Sequence, residues 1–257
     1  MGKLVTIKKC LWLMSLSGLL SLSTAYPSQA EEIPEQVNQA IEGIERAANQ
    51  QNLRQLLQFY SQEFSNTDGL RYETLATALE RLWENYPNLK YEIILESWSK
   101  EGDEIVAETT TNISGVGVNQ VQTQAIKSII RSRQYFQGNQ LIRQEIISEE
   151  TDVISGNPAE INVIVNNQVQ THEQFNFDLI LQEPLENGII LGSAIEEETR
   201  SDRYLQPSNF ELAPLPSGGI FKLVTAPALP GAYWLSGIII DGNGSHIVTR
   251  RVTVEAR

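Results

Sequence analysis

The apolar pattern of this chain changes period once, at Leu89, and does not change back. Before that point apolar residues recur at helical spacing; after it they alternate. Pro34 suits the first turn of a helix, where its missing N–H is no loss. Val37, Ile41, Ile44 and Ala48 then form one stripe, with Glu42 and Arg46 four apart on the outer face. A second stripe runs through Leu53, Leu56, Leu57, Tyr60 and Phe64. Asn66-Thr67-Asp68-Gly69 interrupts it, and Asp68 is placed to cap the next helix. The third stripe is Tyr72, Leu75, Leu79, Leu82, Trp83 and Tyr86, stopped by Pro87. From Leu89 the pattern reads as strands: Tyr91, Ile93 and Leu95; Ile105 to Ile113; a long run from Val121 to Phe136; a turn at Gly138-Asn139; and a return from Leu141 to Ser148. Three helices and then a meander of long strands predict an α+β fold, a cone-shaped curved antiparallel sheet wrapped around helices.

Ser155-Gly156-Asn157-Pro158 reads as a linker. Beyond it no helical stripe recurs. Short strands are expected at Ile161–Val165, Phe175–Leu181, Gly188–Ile195, Ile220–Thr225, Tyr233–Ile240 and Ile247–Val254. This spacing predicts a β-sandwich of about 100 residues, the size of an immunoglobulin-like module. The expected organisation is a leader over 1–30, an α+β domain over 31–156 and a sandwich over 157–257.

The leader is read from Lys3, Lys8 and Lys9, an uncharged apolar stretch from Leu11 to Leu22, and Ser28-Gln29-Ala30 before Glu31-Glu32. Basic, apolar and small in that order is the pattern of an export signal. The apolar stretch is short and serine-rich for a membrane span, so no stable membrane anchor is expected. The address is the periplasm, the extracellular medium or a photosynthetic lumen. Cys10, the one cysteine, lies inside the leader, so an exported product has no disulfide and no thiolate zinc site. The chain carries 32 acidic against 19 basic residues, a net charge of −13. Such a surface repels phosphate backbones, and nucleic acid is not an expected partner.

Candidate chemistry is sparse. The only histidines, His172 and His246, fall in the second half, which leaves the first half without the usual base near neutral pH. Gly-x-Ser-x-Gly and a phosphate-binding glycine loop are both absent. Asp241-Gly242-Asn243-Gly244-Ser245 starts like a calcium loop but has His246 and Val252 where glycine and glutamate are required, so it reads as a turn. Glu196-Glu197-Glu198 reads as a solvated loop. Glu92 and Glu96 share a strand face with Ile94 and Trp98 if alternation is unbroken, and a carboxylate beside Trp98 would have a perturbed pKa. Tyr60, Tyr72, Trp83, Tyr86 and Trp98, with Glu92 and Glu96, are the candidate pocket lining for a small apolar ligand; the same aromatics also fit an ordinary core. Lys127, Arg131 and Arg133 share one face of the long strand. They offer either an anion contact or cross-strand pairs with Glu108 and Glu145. No metal or cofactor is expected.

Leu53–Phe64, Tyr72–Tyr86 and the four long strands to Ser148 resemble the nuclear-transport-factor-2-like (SnoaL-like) fold. Trp83-Glu84-Asn85-Tyr86-Pro87, Glu183-Pro184-Leu185, Gly218-Gly219-Ile220-Phe221-Lys222 and Tyr233-Trp234-Leu235-Ser236 resemble exported uncharacterised proteins of cyanobacteria. The resemblance implies architecture and no single activity, since that fold hosts isomerases, dehydratases, transport factors and dimerisation modules. The reading favoured is a non-enzymatic, exported two-domain binding protein, with a protein partner or a second copy held by the first domain. The alternative is a small-molecule binder or a lyase/isomerase-like enzyme using the cone. It requires a cavity of several hundred Å³ with at least one carboxylate.

Overall fold

Helix α1 (Glu35–Asn49) buries Val37, Ala40, Ile41, Ile44, Ala47 and Ala48 on one face. The computed structural model describes residues 32–118, 123–183, 189–206, 208–215 and 218–257. The leader expected over 1–30, Cys10 included, the Pro184-Leu185 pair, and the expected strand starts at Val121 and Gly188 lie outside the described residues. After α1 come a four-residue helix α2 (Leu53–Leu56) and a 3-10 turn (Leu57–Phe59). Then strand β1 (Tyr60–Asn66) and helix α3 (Tyr72–Asn85) follow. The second stripe is therefore not one helix: its latter part is a strand. Tyr60 and Phe64 are four apart, and that spacing places two residues on one side of a helix or of a strand alike. Parallel pairing of β1 with a later strand decides between them.

The long strands are β2 (Lys90–Glu101), β3 (Glu104–Val118), β4 (Thr123–Gln137) and β5 (Gln140–Gly156). Each pairs antiparallel with the next. β2 is a sheet edge, and α1 covers it. Asn49 accepts a hydrogen bond from the Tyr91 backbone N–H at 2.9 Å and donates to the Tyr91 carbonyl at 2.8 Å. Glu45 accepts from the Ile93 N–H at 2.7 Å. Side chains thus occupy backbone groups that would otherwise invite a foreign strand.

β5 continues eight residues past Ser148, where the sequence pattern placed the end of the fourth strand. It ends at Gly156, whose φ of 73° suits glycine, and a Cβ there would collide with the Asn243 carbonyl. The remaining strands are β6 (Ile161–Val165), β7 (Gln168–Gln170), β8 (Gln174–Leu181) and β9 (Leu191–Glu198). A short helix α4 (Ser201–Leu205), which no apolar stripe announced, precedes β10 (Ala213–Pro214). β11 (Gly219–Thr225), β12 (Gly231–Ile240) and β13 (Gly244–Glu255) complete the chain. The larger sheet has the order β10-β9-β12-β13-β5-β4-β3-β2, with β1 on β5 and β7 on β13. The fold is mostly antiparallel sheet with few helices.

The far half of β5 pairs with β13 from Glu150 to Gly156. Asp152 fastens this seam: His246 Nε2 lies 2.9 Å and Arg250 Nη2 3.0 Å from its carboxylate. Burial opposes ionisation of Asp152, but His246 and Arg250 outweigh it and hold the carboxyl below its ordinary value. The chain from Ile33 to Arg257 is one compact unit, and residue 156 falls inside it. A second sheet, β11-β8-β6, covers one face of the seam. Between the sheets lies an apolar core of Phe175, Phe177, Leu179, Val248 and Val252. The N-terminal core holds α1 against Phe64, Phe136 and Leu141.

Because β5 belongs to both halves, damage in one should be felt in the other. Phe177 is fully buried, and Phe177→Ala is expected to cost about 3–5 kcal/mol. Denaturant unfolding should show Trp83 and Trp234 fluorescence losing structure in one coincident transition, shifted equally. Two separated transitions, with only the Trp234 signal moved, would contradict a shared sheet.

Candidate functional site

Four inward-facing rows of the curved sheet converge under α3. The rows come from alternation: Tyr91 and Ile93 on β2, Thr111 and Ile113 on β3, Ile130 and Gln134 on β4, Gln144 and Ile146 on β5. Opposite them stand Leu75, Ala78, Leu79 and Leu82 of α3. They enclose a cavity of about 350 Å³. Arg81 and Tyr204 stand where α3 meets α4, and Arg81 is exposed, so the mouth lies on that side. Arg81 Nη1 donates to the Leu205 carbonyl at 2.6 Å, tying α3 to α4.

The walls are aliphatic with a few hydrogen-bonding groups. Among the described residues the lining holds no aspartate, glutamate or histidine. Three tyrosines contribute. Burial raises the pKa of Tyr60, with Tyr91 adding to it. Burial pushes the Tyr91 hydroxyl up to about 12, against the hydrogen bond it accepts from Trp83 Nε1 at 2.9 Å. Tyr204 is raised well above the phenol range by burial and by nearby Glu149 and Asp68. All three stay protonated near neutral pH and serve as hydrogen-bonding groups rather than bases. Gln134 differs from them: its Oε1 is buried without a hydrogen-bond partner.

Of the residues singled out from sequence, Tyr60 lines the cavity; Tyr72, Trp83, Tyr86, Trp98, Glu92 and Glu96 are not among its lining. Trp83 packs in the core behind Tyr91. Glu92 accepts from Asn112 at 3.1 Å on the outer face, and Glu96 is exposed. Alternation misplaced Trp98 because β2 carries a bulge between Leu95 and Ser97. The extra residue moves Trp98 to the face of its partner Ala107, away from Glu92. Among the described residues the cavity therefore lacks the carboxylate expected for a small-molecule binder or a lyase/isomerase-like enzyme alike. On the outer face, Arg133 bridges Glu108 at 2.9 Å and Glu145 at 3.1 Å, and Arg143 stacks over Tyr135 at 3.4 Å. Arg133 is thus in cross-strand pairs, while Lys127 and Arg131 are exposed on the same face.

Beside the mouth sits a buried ionic cluster that the sequence did not reveal. Asp68 does not cap α3, whose N-cap is Arg71. It accepts from both terminal guanidinium nitrogens of Arg251, Nη1 at 3.0 Å and Nη2 in a second, shorter contact. The Tyr204 hydroxyl donates to Asp68 at 2.6 Å. Arg251 Nη2 is also 3.8 Å from Glu149, which accepts from Trp234 Nε1 at 2.8 Å. Tyr204 meets the Trp234 ring edge-on at 5.0 Å. Arg251 and Asp68 are 183 positions apart, and no local pattern marks either as a partner. Burial raises the Glu149 pKa; Arg251 and Trp234 only partly counter it. Glu196-Glu197-Glu198 is strand rather than loop: Glu197 binds Ser208 and Arg203, and Glu196 binds Lys222 at 3.1 Å. Among the described residues no group of acids, histidines or cysteines is placed to hold a metal ion. No helix there is long and apolar enough to cross a membrane.

Residues 156–255 match the family model described as Domain of unknown function (DUF8623). No curated protein matches the chain. Among solved structures, the chain is similar to Bd1075 of Bdellovibrio bacteriovorus at 16% identity, covering 42% of this chain and 38% of that one, with a TM-score of 0.32. It is similar to a hypothetical protein of ketosteroid isomerase-like fold from Catenulispora acidiphila, solved with trimethylamine, at 12% identity, covering 45% and 85%, TM-score 0.32. A third is described as a SnoaL-like polyketide cyclase from Shewanella putrefaciens, at 14% identity, covering 45% and 90%, TM-score 0.34.

The two acids should respond oppositely to neutralisation. Asp68→Asn leaves Arg251 buried with one distant acid and is expected to cost about 3–5 kcal/mol. Glu149 has a folded pKa above its unfolded one, so it favours folding at low pH. That contribution is lost as pH rises from the ordinary glutamate value of about 4.3 through the raised one. Glu149→Gln should therefore flatten this fall and match or exceed the wild-type melting temperature at pH 8. Equal destabilisation by both substitutions at pH 8 would contradict the assignment.

Proposed function

We propose that the protein binds a small, uncharged, largely apolar molecule inside the cone, and that it holds this molecule rather than transforming it. The observation that carries this reading is the cavity itself: about 350 Å³, walled by isoleucine and leucine, with a few inward hydrogen-bonding groups. That volume lies within the usual range for small-molecule sites. The sequence left two uses for the aromatic side chains, core or pocket. Trp83 went to the core, so the space beneath α3 stays open and aliphatic. Binding fits the lining better than turnover does, because neutral phenols and amides orient a ligand but do not abstract its protons. A nuclear-transport-factor-2-like cone and an immunoglobulin-like sandwich in one exported chain remain the architectural side of this proposal. The leader pattern over Met1–Ala30 supports export as its address. In that setting the first domain also holds a protein partner or a second copy, and the sandwich half serves as a second contact module.

N-phenyl-1-naphthylamine, a neutral dye that brightens in apolar surroundings, tests the cavity. The wild-type protein should bind it saturably, and at 100 times its Kd the dye should add about 2.7 kcal/mol of stability. Ala78 faces the cavity from α3, and Ala78→Trp fills the space; it should abolish the fluorescence gain with the far-ultraviolet circular dichroism unchanged. Undiminished binding in that variant, or none in the wild type, would sink the reading.

A further inference from the structure

Side chains guard the edges at β2 and β11, but not the edge at β6. Asn49 and Glu45 of α1 occupy the edge of β2, and β11 turns Lys222 to Glu196 at 3.1 Å. β6 (Ile161-Asn162-Val163-Ile164-Val165) carries no charge and no proline, and among the described residues it pairs with β8 alone. The Gln182 N–H donates to the Glu160 carbonyl at 2.9 Å, which sets the phase of that ladder. Asn162 and Ile164 therefore bond to β8, whereas the N–H and C=O groups of Ile161, Val163 and Val165 point away from it. Among the described residues those outward groups have no hydrogen-bond partner. The side chains of the same three residues pack on the sandwich core but are only partly buried.

The open edge stands over a groove. About 430 Å³ lies between β6 and a floor of Glu150, Asp152 and Arg250. Farther along β5, Ile154 and Ala125 border a second hollow of about 350 Å³. The next strand of the floor, β4, sets Lys127 opposite Asp152 and carries Arg131 on the same face. Asp152 is already held by His246 and Arg250. Lys127 and Arg131 are exposed and make no ion pair among the described residues; Glu150 is the one acid of the groove in the same condition. In a chain of net charge −13 this strip is locally cationic.

We propose that the open edge of β6 takes up an extended segment of a partner protein as an added strand, with an acidic side chain of that segment directed at Lys127 and Arg131. This gives the second contact module of the proposed function a partner of definite kind, and it does not depend on the cavity. The segment's backbone satisfies the outward groups of β6, and its inward side chains complete the burial of Ile161, Val163 and Val165. A second copy does not fit by way of its own β6. That pairing needs a two-fold axis perpendicular to the small sheet, which puts both larger sheets on the same side of it. The strands β5 to β2 of each copy would then claim the space of the other's. A single strand has room.

The probe is the peptide acetyl-Thr-Val-Thr-Glu-Thr-Val-Thr-amide, which sets valine and glutamate on one face and threonine on the other. Titrated into isotope-labelled protein, it should move the amide resonances of Ile161, Val163 and Val165 saturably, and those of Asn162 and Ile164 less. Lysine in place of the glutamate should weaken binding about threefold at low salt, and Lys127→Glu with Arg131→Glu should reverse that order. Of two peptides N-methylated at alternate residues, in one phase or the other, one should bind and the other should not, because only one set of amides faces β6. Val163→Pro removes an outward N–H from an edge strand, where proline is tolerated; it should weaken binding about tenfold with circular dichroism and cavity-dye binding unchanged. Unmoved outward amides, or equal binding by both methylated peptides, would overturn the inference. Shifts confined to the exposed Phe221 and Leu223 of β11 would defeat it while leaving the sandwich half a contact module. Broadening of the three amides with protein concentration alone would make the occupant a second copy and defeat it too.

Discussion

The pairing of Asp68 with Arg251 sets the geometry of everything around the cavity mouth. One residue belongs to the turn that launches α3, the other to the last strand of the chain. Two charges removed from water must find each other with good geometry, or the fold loses several kcal/mol. Here the match is bidentate, and both side chains are all but inaccessible. The Tyr204 hydroxyl completes the acid's coordination, and the Trp234 ring lies edge-on beside it. That fixes the residue which closes one side of the cavity. The price of this specificity is Glu149, held close enough to Arg251 to matter but too deep to ionise freely. A cluster of this kind gives little net stability and instead defines one arrangement of α3, α4 and β13.

The second organising element is β5. Seventeen residues long, it carries the cavity wall at one end and the seam with β13 at the other. Its inward residues change character along its length: Gln144 and Ile146 face the cavity, then Glu149 the ionic cluster. Beyond them Thr151 shares a hydrogen bond with Ser128 at 2.7 Å. A bulge between the pairs Arg131–Ser148 and Ser132–Ile146 lets Ile146 and Glu149 both point inward although their spacing is odd. The local irregularity thus places an apolar wall and a buried acid on one face.

Much of the fold was legible because its signals are local. The α1 stripe of Val37, Ile41, Ile44 and Ala48 is its buried face, and the alternation of Phe175, Phe177, Leu179 and Leu181 is the inner face of β8. The signals that failed are those that depend on pairing. Tyr60 and Phe64 fit helix or strand equally until β5 arrives as a partner. Trp98 changed faces because a bulge has no signature in Glu96 or Ser97. Asp68 looks like a helix cap from its neighbours, and only a distant arginine reveals it as a buried ion. Gln134 was within reach: it comes after Ile126, Ser128, Ile130 and Ser132 at even spacing, so the inward parity of β4 was visible. What the sequence did not carry was that Gln144 Nε2 turns to Ser132 and that Gln134 Oε1 is left without a partner.

Whether the space beneath α3 receives a ligand is the central question. Isotope-labelled isoleucine methyl groups report this directly, because Ile93, Ile113, Ile130 and Ile146 line the cavity whereas Ile164 lies exposed on the second sheet. Titration with N-phenyl-1-naphthylamine should shift the resonances of the first four together and leave Ile164 unmoved. Shifts concentrated at Ile164, with the four lining methyls unchanged, would place binding on the outer surface and contradict the account.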